Sequence, residues 1–304
     1  MLIAFWIGDE VTSNDYHTNN AQLAQVMTTF IGNDNKMETM QAVCMPIGNE
    51  LRSKYGSDFK NVAMASWNFN HVLAVGEKKI TGNGMWVEFN FPSMFSLRMS
   101  KGNINALDDP SSVLLNASLA KTLFGDEDPM NKVIKLDNKE SYKVAGVFKD
   151  LPKNSTYQFQ WLAPLANIDH KQPWMTIWGA NWVRTLVELE PNANLKAINQ
   201  QLTHYIASKT KSTNTTVCFL FSMNDWNLHD NFTDGKMDGG RIQYVKIFSF
   251  IAWIILLIAC INFMNLSTAR SEQRAKEVGV RKVMGAGKGK LIGQFIGEAV
   301  IMSF

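Results

Sequence analysis

The chain has 304 residues, 46% of them hydrophobic, with 30 Lys and Arg against 27 Asp and Glu and a formal net charge of +3. That length is enough for one or two domains with a real core, and so small a net charge excludes a polycation that seeks nucleic acid through its overall charge. The three cysteines, Cys44, Cys218 and Cys260, include no Cys-x-x-Cys pair, which excludes a disulfide framework and leaves zinc-finger or thioredoxin chemistry without support.

In chain order, "MLIAFWIG" (1–8) is apolar, too short to span a bilayer, and lacks the basic start of a signal peptide. It reads as the end of a truncated first transmembrane helix. "NAQLAQVMTTFIG" (20–32) has Leu23, Val26, Met27 and Phe30 at helical spacing, which predicts a helix stopped by Gly32. "DFKNVAMASWNFNHVLAVGEKKITGNGMWVEFN" (58–90) alternates and carries turn residues, so it reads as strands. "SSVLLNASLAKTLFG" (111–125) predicts a strand, then a helix from Asn116 or Ser118 to Gly125. "DPMNKVIKLDNKESYKVAGVFKDLP" (128–152) reads as a hairpin turned at "DNKE". "WVRTLVELEP" (182–191) is a further strand. "NLKAINQQLTHYIASKT" (194–210) is an amphipathic helix with Leu195, Ile198, Leu202, Tyr205 and Ile206 on one face.

These elements predict an α+β domain over 9–240, a mixed sheet with helices on one side, with 76–150 as a strand-rich inserted subdomain. Trp174, Trp178 and Trp182 read as packing groups before they read as an aromatic platform. Cys44 and Cys218 stay open as a pair or as free thiols, and Cys260 reads as a small packed side chain. The five histidines are scattered without metal-ligand spacing, so no metal site and no cofactor is expected.

From Ile247 to Ala269 the chain carries no charge over 23 residues, enough for a helix across the hydrocarbon, and 245–269 is assigned as a transmembrane helix. Residues 270–290 follow with seven basic side chains (Arg270, Arg274, Lys276, Arg281, Lys282, Lys288, Lys290) against Glu272 and Glu277, a net of +5 that leaves −2 for the rest of the chain. The positive-inside bias then puts residue 270 onward in the cytoplasm and the 9–240 domain on the opposite, extracytoplasmic side. "LIGQFIGEAVIMSF" (291–304) reads as the start of a next transmembrane helix.

The stretch "RAKEVGVRKVMGAGKGKLIG" (274–293) invites three readings. A phosphate-binding loop needs Ser or Thr after its lysine, with a strand before it and a helix after; Leu291 follows Lys290 here, and the preceding residues are helical. A nucleic-acid patch is unnecessary, because insertion bias alone puts bases just inside a span, with anionic lipid as an added contact. The third reading is a short amphipathic helix lying under the membrane between two spans. Arg270, Arg274, Glu277 and Arg281 fall on one stripe, Glu277 and Arg281 form an i,i+4 pair, and Gly285 ends the helix. By charge pattern alone it serves equally as a connector or as a docking surface.

The run "LLIACINFMNLSTARSEQRAKEVGVRKVMGAGKGKLIGQFIGEAVIM" resembles the FtsX-like/MacB-like ABC transporter permease family, in Arg274, Lys276, Glu277, Val278, Gly279, Val280, Arg281, Gly285, Ala286, Gln294, Phe295 and Glu298. "SSVLLNASLAKTLFGDEDPMNKVIKLDN" with "YKVAGVFKDLPKNS" is similar to the family's periplasmic core domain. The resemblance implies a non-catalytic permease subunit in the inner membrane, multi-pass in full length, working by mechanotransmission with a cytoplasmic ATPase. It implies ATPase-coupling residues Arg274, Lys276, Glu277, Gly279, Arg281, Lys282, Gly285 and Ala286. The partners it implies are that ATPase, a second permease copy as homo- or heterodimer, and membrane lipid, with a periplasmic adaptor and outer-membrane channel as further candidates. The competing reading is a membrane-anchored extracytoplasmic sensor, which would continue downstream as coiled-coil heptads rather than as a second span.

Overall fold

The computed structural model describes residues 2–32, 34–168, 172–210, 216–285, 287, 289, 292, 293, 296 and 297, with the side chains of 270–278, 281 and 282 left out. Residues 5–245 form one compact unit, and residues before 5 and after 245 belong to another.

In chain order the elements run α1 (Leu2–Val11), β1 (Leu23–Ile31), β2 (Met37–Met40), β3 (Val43–Cys44), α2 (Pro46–Lys54), β4 (Phe59–Ala65), β5 (Phe69–Val75), β6 (Lys78–Val87), α3 (Phe91–Met94) and β7 (Met99–Gly102). They continue with β8 (Ser112–Asn116), α4 (Ala117–Phe124), β9 (Val133–Leu136), β10 (Glu140–Phe148), β11 (Trp161–Pro164) and β12 (Asn181–Leu189). Then follow α5 (Leu195–Leu202), α6 (Tyr205–Thr210), β13 (Val217–Ser222), β14 (Phe232–Thr233), β15 (Lys236–Met237) and α7 (Arg241–Val283).

Thirteen strands form one mixed sheet: ten in the order β11-β8-β10-β9-β5-β6-β4-β12-β1-β13, with β2 paired to β1, β3 to β12 and β7 to β10 off that path. β11 also pairs β6 in parallel, which closes β6, β11, β8, β10, β9 and β5 into a six-stranded ring. β6 is the branch point, bridged to β4 through Val87 and Ala65. The ring encloses Leu73, Val113, Leu115, Ile134, Val144 and Trp161, onto which α4 packs Leu119, Leu123 and Phe124.

The open part of the sheet is covered on one face by α2, α5 and α6, through Ile47, Leu51, Ile198, Leu202 and Ile206. Its other face packs under Phe91, Phe95, Tyr157, Phe159 and Trp226. This is the expected α+β class. β4–β6 follow the predicted strands. Asn116 caps α4 by accepting from the Leu119 N–H at 2.9 Å, and α4 stops at Gly125. The β9–β10 turn falls on "DNKE", three residues between the paired Leu136 and Glu140, with Asp137 and Asn138 at positive φ (49° and 60°), which Asp and Asn tolerate better than most side chains.

Two expectations are corrected. Residues 23–31 are a strand, not a helix. β1 lies between β12 and β13 and is buried on both faces, so no polar face alternates to betray it. The polar side chains within the strand are buried and satisfied: the Thr28 hydroxyl donates to the Ala42 carbonyl at 3.0 Å, and Thr29 meets Thr39 at 2.8 Å. The 194–210 helix is two helices. The Thr203 carbonyl accepts from the Cys218 N–H of β13 at 3.0 Å, so that oxygen is taken by the sheet and the helix breaks there, while the predicted apolar face survives in both pieces. β13 and α2 are additions the sequence pattern did not yield. Cys44 and Cys218 are free, buried thiols in one core cluster, and Cys260 is exposed on α7 rather than packed. Trp178 and Trp182 pack on that same core, and Trp174 is exposed.

Candidate functional site

α7 decides the geometry of the predicted coupling segment. It is one helix of 43 residues, about 65 Å long at 1.5 Å per residue. Its Arg241–Ala269 part is long and apolar enough to cross a membrane and is unburied in the chain; Phe250, Trp253, Leu256 and Phe263 are more than half exposed. A bare apolar surface of that extent calls for lipid or protein around it. The hydrocarbon takes only about 30 Å of such a helix.

The helix does not stop at the arginines. Its backbone runs unbroken through 270–283, so the charged stripe continues the apolar rod and is not a separate helix lying across it. The Met284 N–H still bonds the Val280 carbonyl at 3.1 Å, and Gly285 then turns the chain at φ +90°, a conformation L side chains resist. Arg274, Lys276, Glu277, Gly279, Arg281 and Lys282 therefore share one helix ending at Gly285. Beyond the backbone, the side chains of Arg274, Lys276, Glu277, Arg281 and Lys282 lie outside the described residues, as does Ala286 altogether. Gly279 has open space where a Cβ would stand. A mid-helix glycine costs about 1 kcal/mol relative to Ala, and nothing among the described residues requires it.

A second cluster, which sequence reasoning missed, ties the first turn of α7 to the end of α1. The Glu10 carboxylate, 11% exposed, accepts from Arg241 Nη1 at 3.2 and 3.3 Å and from Asn227 Nδ2 at 2.8 Å. Asn227 Nδ2 also donates to the Glu10 carbonyl at 3.1 Å, and the Ile242 N–H donates to the Leu228 carbonyl at 3.0 Å. Just past α1, Asn14 and Thr156 are reciprocally bonded: Asn14 Nδ2 to Thr156 Oγ1, and the Thr156 N–H to Asn14 Oδ1, both at 2.8 Å. The signal in the sequence was slight: acids (Asp9, Glu10) bordering one apolar run and bases (Arg241, Lys246) bordering the other. Glu10→Ala is expected to cost about 1–3 kcal/mol, because it removes the carboxylate that accepts from both Asn227 and Arg241. Arg241→Ala should cost under about 1 kcal/mol, since Arg241 is more than half exposed and Asn227 remains on Glu10. Urea midpoints of the two variants check the asymmetry.

His17 closes the same segment. Its Nδ1–H donates to the Phe95 carbonyl at 2.7 Å, and Nε2 lies 3.2 Å from Ser155 Oγ. Burial lowers its pKa, against a smaller upward pull from the Phe95 carbonyl. The unfolded chain therefore takes up the proton first as pH falls below about 6.5, and stability drops from there until the folded ring protonates too. Glu188 acts lower. Burial pushes its pKa up, but hydrogen bonds from Asn61, Lys60 and Asn19 outweigh it and hold the carboxyl below its ordinary range. Its contribution is complete above the unfolded carboxylate pKa near 4.3 and is lost as pH falls through the lower folded value. Denaturation midpoints should fall between pH 6.5 and 5 in the parent chain, and His17→Gln should flatten that slope; an equal slope in the variant counts against His17 as the cause.

Compared with known proteins, residues 2–205 match the family profile described as the MacB-like periplasmic core domain, and residues 249–304 that of the FtsX-like permease C-terminal region. The chain is 24% identical over 291 residues to the macrolide export ATP-binding/permease protein MacB of Aggregatibacter actinomycetemcomitans, covering 91% of this chain and 42% of that protein. It is likewise 24% identical over 288 residues to MacB of Mannheimia succiniciproducens, with the same coverage. The chain thus spans less than half the length of these relatives. A domain described as part of a permease from Porphyromonas gingivalis shares the fold, with TM-score 0.57 at 17% identity over 68% of this chain and 92% of that one.

Proposed function

Because the chain belongs to the MacB-like periplasmic core domain family and to the FtsX-like ABC transporter permeases, we propose that it is the non-catalytic membrane subunit through which a partner ATPase drives conformational change outside the cytoplasm. The observation that carries this reading is the continuity of α7. One unbroken helix begins in the Glu10–Asn227–Arg241 cluster, contains the stretch able to cross a bilayer, and ends in the basic stripe and Gly285. A continuous helix passes displacement or rotation along its axis without the loss a hinge would introduce.

In this reading 1–8 ends a first span, 9–240 is extracytoplasmic and 245–269 spans the inner membrane. Residues 270–290 meet the ATPase through Arg274, Lys276, Glu277, Gly279, Arg281, Lys282, Gly285 and Ala286, and 291–304 opens the next span. The glycine at 279, unneeded by the chain's own packing, suits the close approach of a second protein surface. Two copies, or one copy and a related permease, would flank an ATPase dimer, with lipid around the spans. The work done outside is efflux, lipoprotein release or the handling of a peptide signal, and a periplasmic adaptor or outer-membrane channel is a further partner for the first of these. "GAGKGKL" has no Ser or Thr after either lysine, which supports assigning ATP hydrolysis to a partner rather than to this stretch.

The test is sidedness with partner capture. An impermeant maleimide should reach Glu77→Cys in intact spheroplasts and Lys288→Cys only after lysis, and the full chain should co-purify with an ABC ATPase. Labelling of both positions from the same side would overturn the arrangement.

A further inference from the structure

The covered face of the open sheet, opposite α2, α5 and α6, contains a cavity of about 220 Å³ whose lining includes Gln25, Tyr157, Arg184, Trp226, Asp230 and Phe232. Arg184 stands on the central strand β12 and is only 7% exposed. Its guanidinium carbon lies 4.8 Å from the Tyr157 ring centre and 5.4 Å from that of Trp67. Nη2 donates to the Ser66 carbonyl at 2.8 Å and lies 3.2 Å from the Met85 sulfur, while Nε is buried with no hydrogen-bond partner in the protein. No carboxylate of the described residues is paired with it.

An arginine stays charged at any pH a cell offers, and a buried charge is expensive unless it is paired. Two ring faces, the Ser66 carbonyl and the Tyr157 hydroxyl offset part of that cost and leave the buried Nε without a partner. Asp230, which is exposed, supplies the acid of the same lining. The lining thus offers one cation held inside, one acid open to solvent, and aromatic side chains in the same wall.

We propose that this cavity binds a small zwitterion of the amino-acid class, its carboxylate on Arg184, its ammonium toward Asp230 and its apolar body against Tyr157, Trp226 and Phe232. A carboxylate fits the planar fork of arginine. A phosphate dianion does not suit a lining with a single cation and an acid. The volume is below the range of about 300–1,000 Å³ typical of drug-sized ligands, which restricts the occupant to a small molecule. The proposal rests on the cavity alone and stands or falls separately from ATPase coupling.

The test is calorimetry on the full chain in detergent micelles with L-phenylalanine, 3-phenylpropionate, phenethylamine and inorganic phosphate as probes. L-Phenylalanine should bind saturably, and phosphate and phenethylamine at least about 10-fold more weakly, the factor set by about 1.4 kcal/mol. Arg184→Gln should abolish binding of both carboxylates. Asp230→Asn, at an exposed position, should weaken L-phenylalanine about 10-fold and leave 3-phenylpropionate unchanged, one exposed charge contact being worth about 1 kcal/mol or somewhat more. No saturable heat with either carboxylate overturns the proposal, as does phosphate binding more tightly than the carboxylates. If Arg184→Gln folds and still binds, Arg184 is only a brace between the rings and Ser66, and the proposal is overturned. If that variant does not fold, the Asp230→Asn comparison decides: an identical response of the two carboxylates to it overturns the zwitterion assignment.

Discussion

Arg281→Glu is expected to uncouple ATP turnover from the permease, lowering stimulated hydrolysis in the reconstituted complex by about 5- to 150-fold, the span of typical coupling free energies. The helix itself should tolerate the change. Glu277 and a glutamate four residues on repel by only a few tenths of a kcal/mol, and α7 is anchored elsewhere. The loss must therefore arise at whatever surface the stripe meets. Gly279→Leu should act in the same direction by bulk alone, because the chain leaves open space there and a leucine favours the helix more than glycine does. A variant more helical yet uncoupled separates docking from folding. Circular dichroism with ATPase assays checks both, and unchanged turnover in Arg281→Glu would remove the stripe from the interface.

Gly84→Ala is expected to be strongly destabilising for a single-methyl change. Gly84 of β6 lies opposite Trp161 of β11 in the parallel pairing that closes the six-stranded ring. A Cβ at 84 would stand 2.3 Å from Cδ2 of the Trp161 ring and 2.4 Å from the Trp161 carbonyl oxygen. Neither can retreat cheaply. Trp161 is fully buried, its Nε1 donates to the Gly82 carbonyl at 3.1 Å, and its ring meets Trp86 and His71 edge-on at 5.1 and 5.4 Å. Overpacking a tight core costs about 1–3 kcal/mol, and here backbone must move as well, so the upper end or beyond is expected. The partner variant Trp161→Ala should cost about 3–5 kcal/mol by cavity formation. Adding Gly84→Ala to it should cost much less than in the parent chain, since the ring that clashes is gone, although the carbonyl contact remains. Additive losses in that double-mutant cycle would mean that the two positions do not share the strain.

The legible parts of the fold were those with local causes. Asn116 before an apolar run and Gly125 after it bound α4 whatever surrounds them. Asp137 and Asn138 accept positive φ and so set the hairpin turn. The charge-free run before Arg270 needs no neighbour to be read as a membrane-spanning length. The misread parts were those whose state depends on what packs against them. Residues 23–31 look helical by spacing, and only β12 and β13 on either side, with Thr28 and Thr29 satisfied by Ala42 and Thr39, make them a strand. The break at Thr203 exists because a β13 amide claims its carbonyl.

The same division runs through the sites. The sequence by itself determined the membrane run, the basic stripe with its glycine stop, and the family they resemble, because periodicity, charge and local turn chemistry act over a few residues. The tertiary structure alone decided that stripe and span are one rod, that Glu10 meets Arg241 across 231 positions of chain, that β11 returns to β6 to close a ring, and that Arg184 is sealed between two rings beside a cavity. The continuity of the rod is a matter of local helical bonding that the charge change at Arg270 does not interrupt; the other three depend on contacts between residues far apart in sequence, and no local preference encodes where a distant partner will lie.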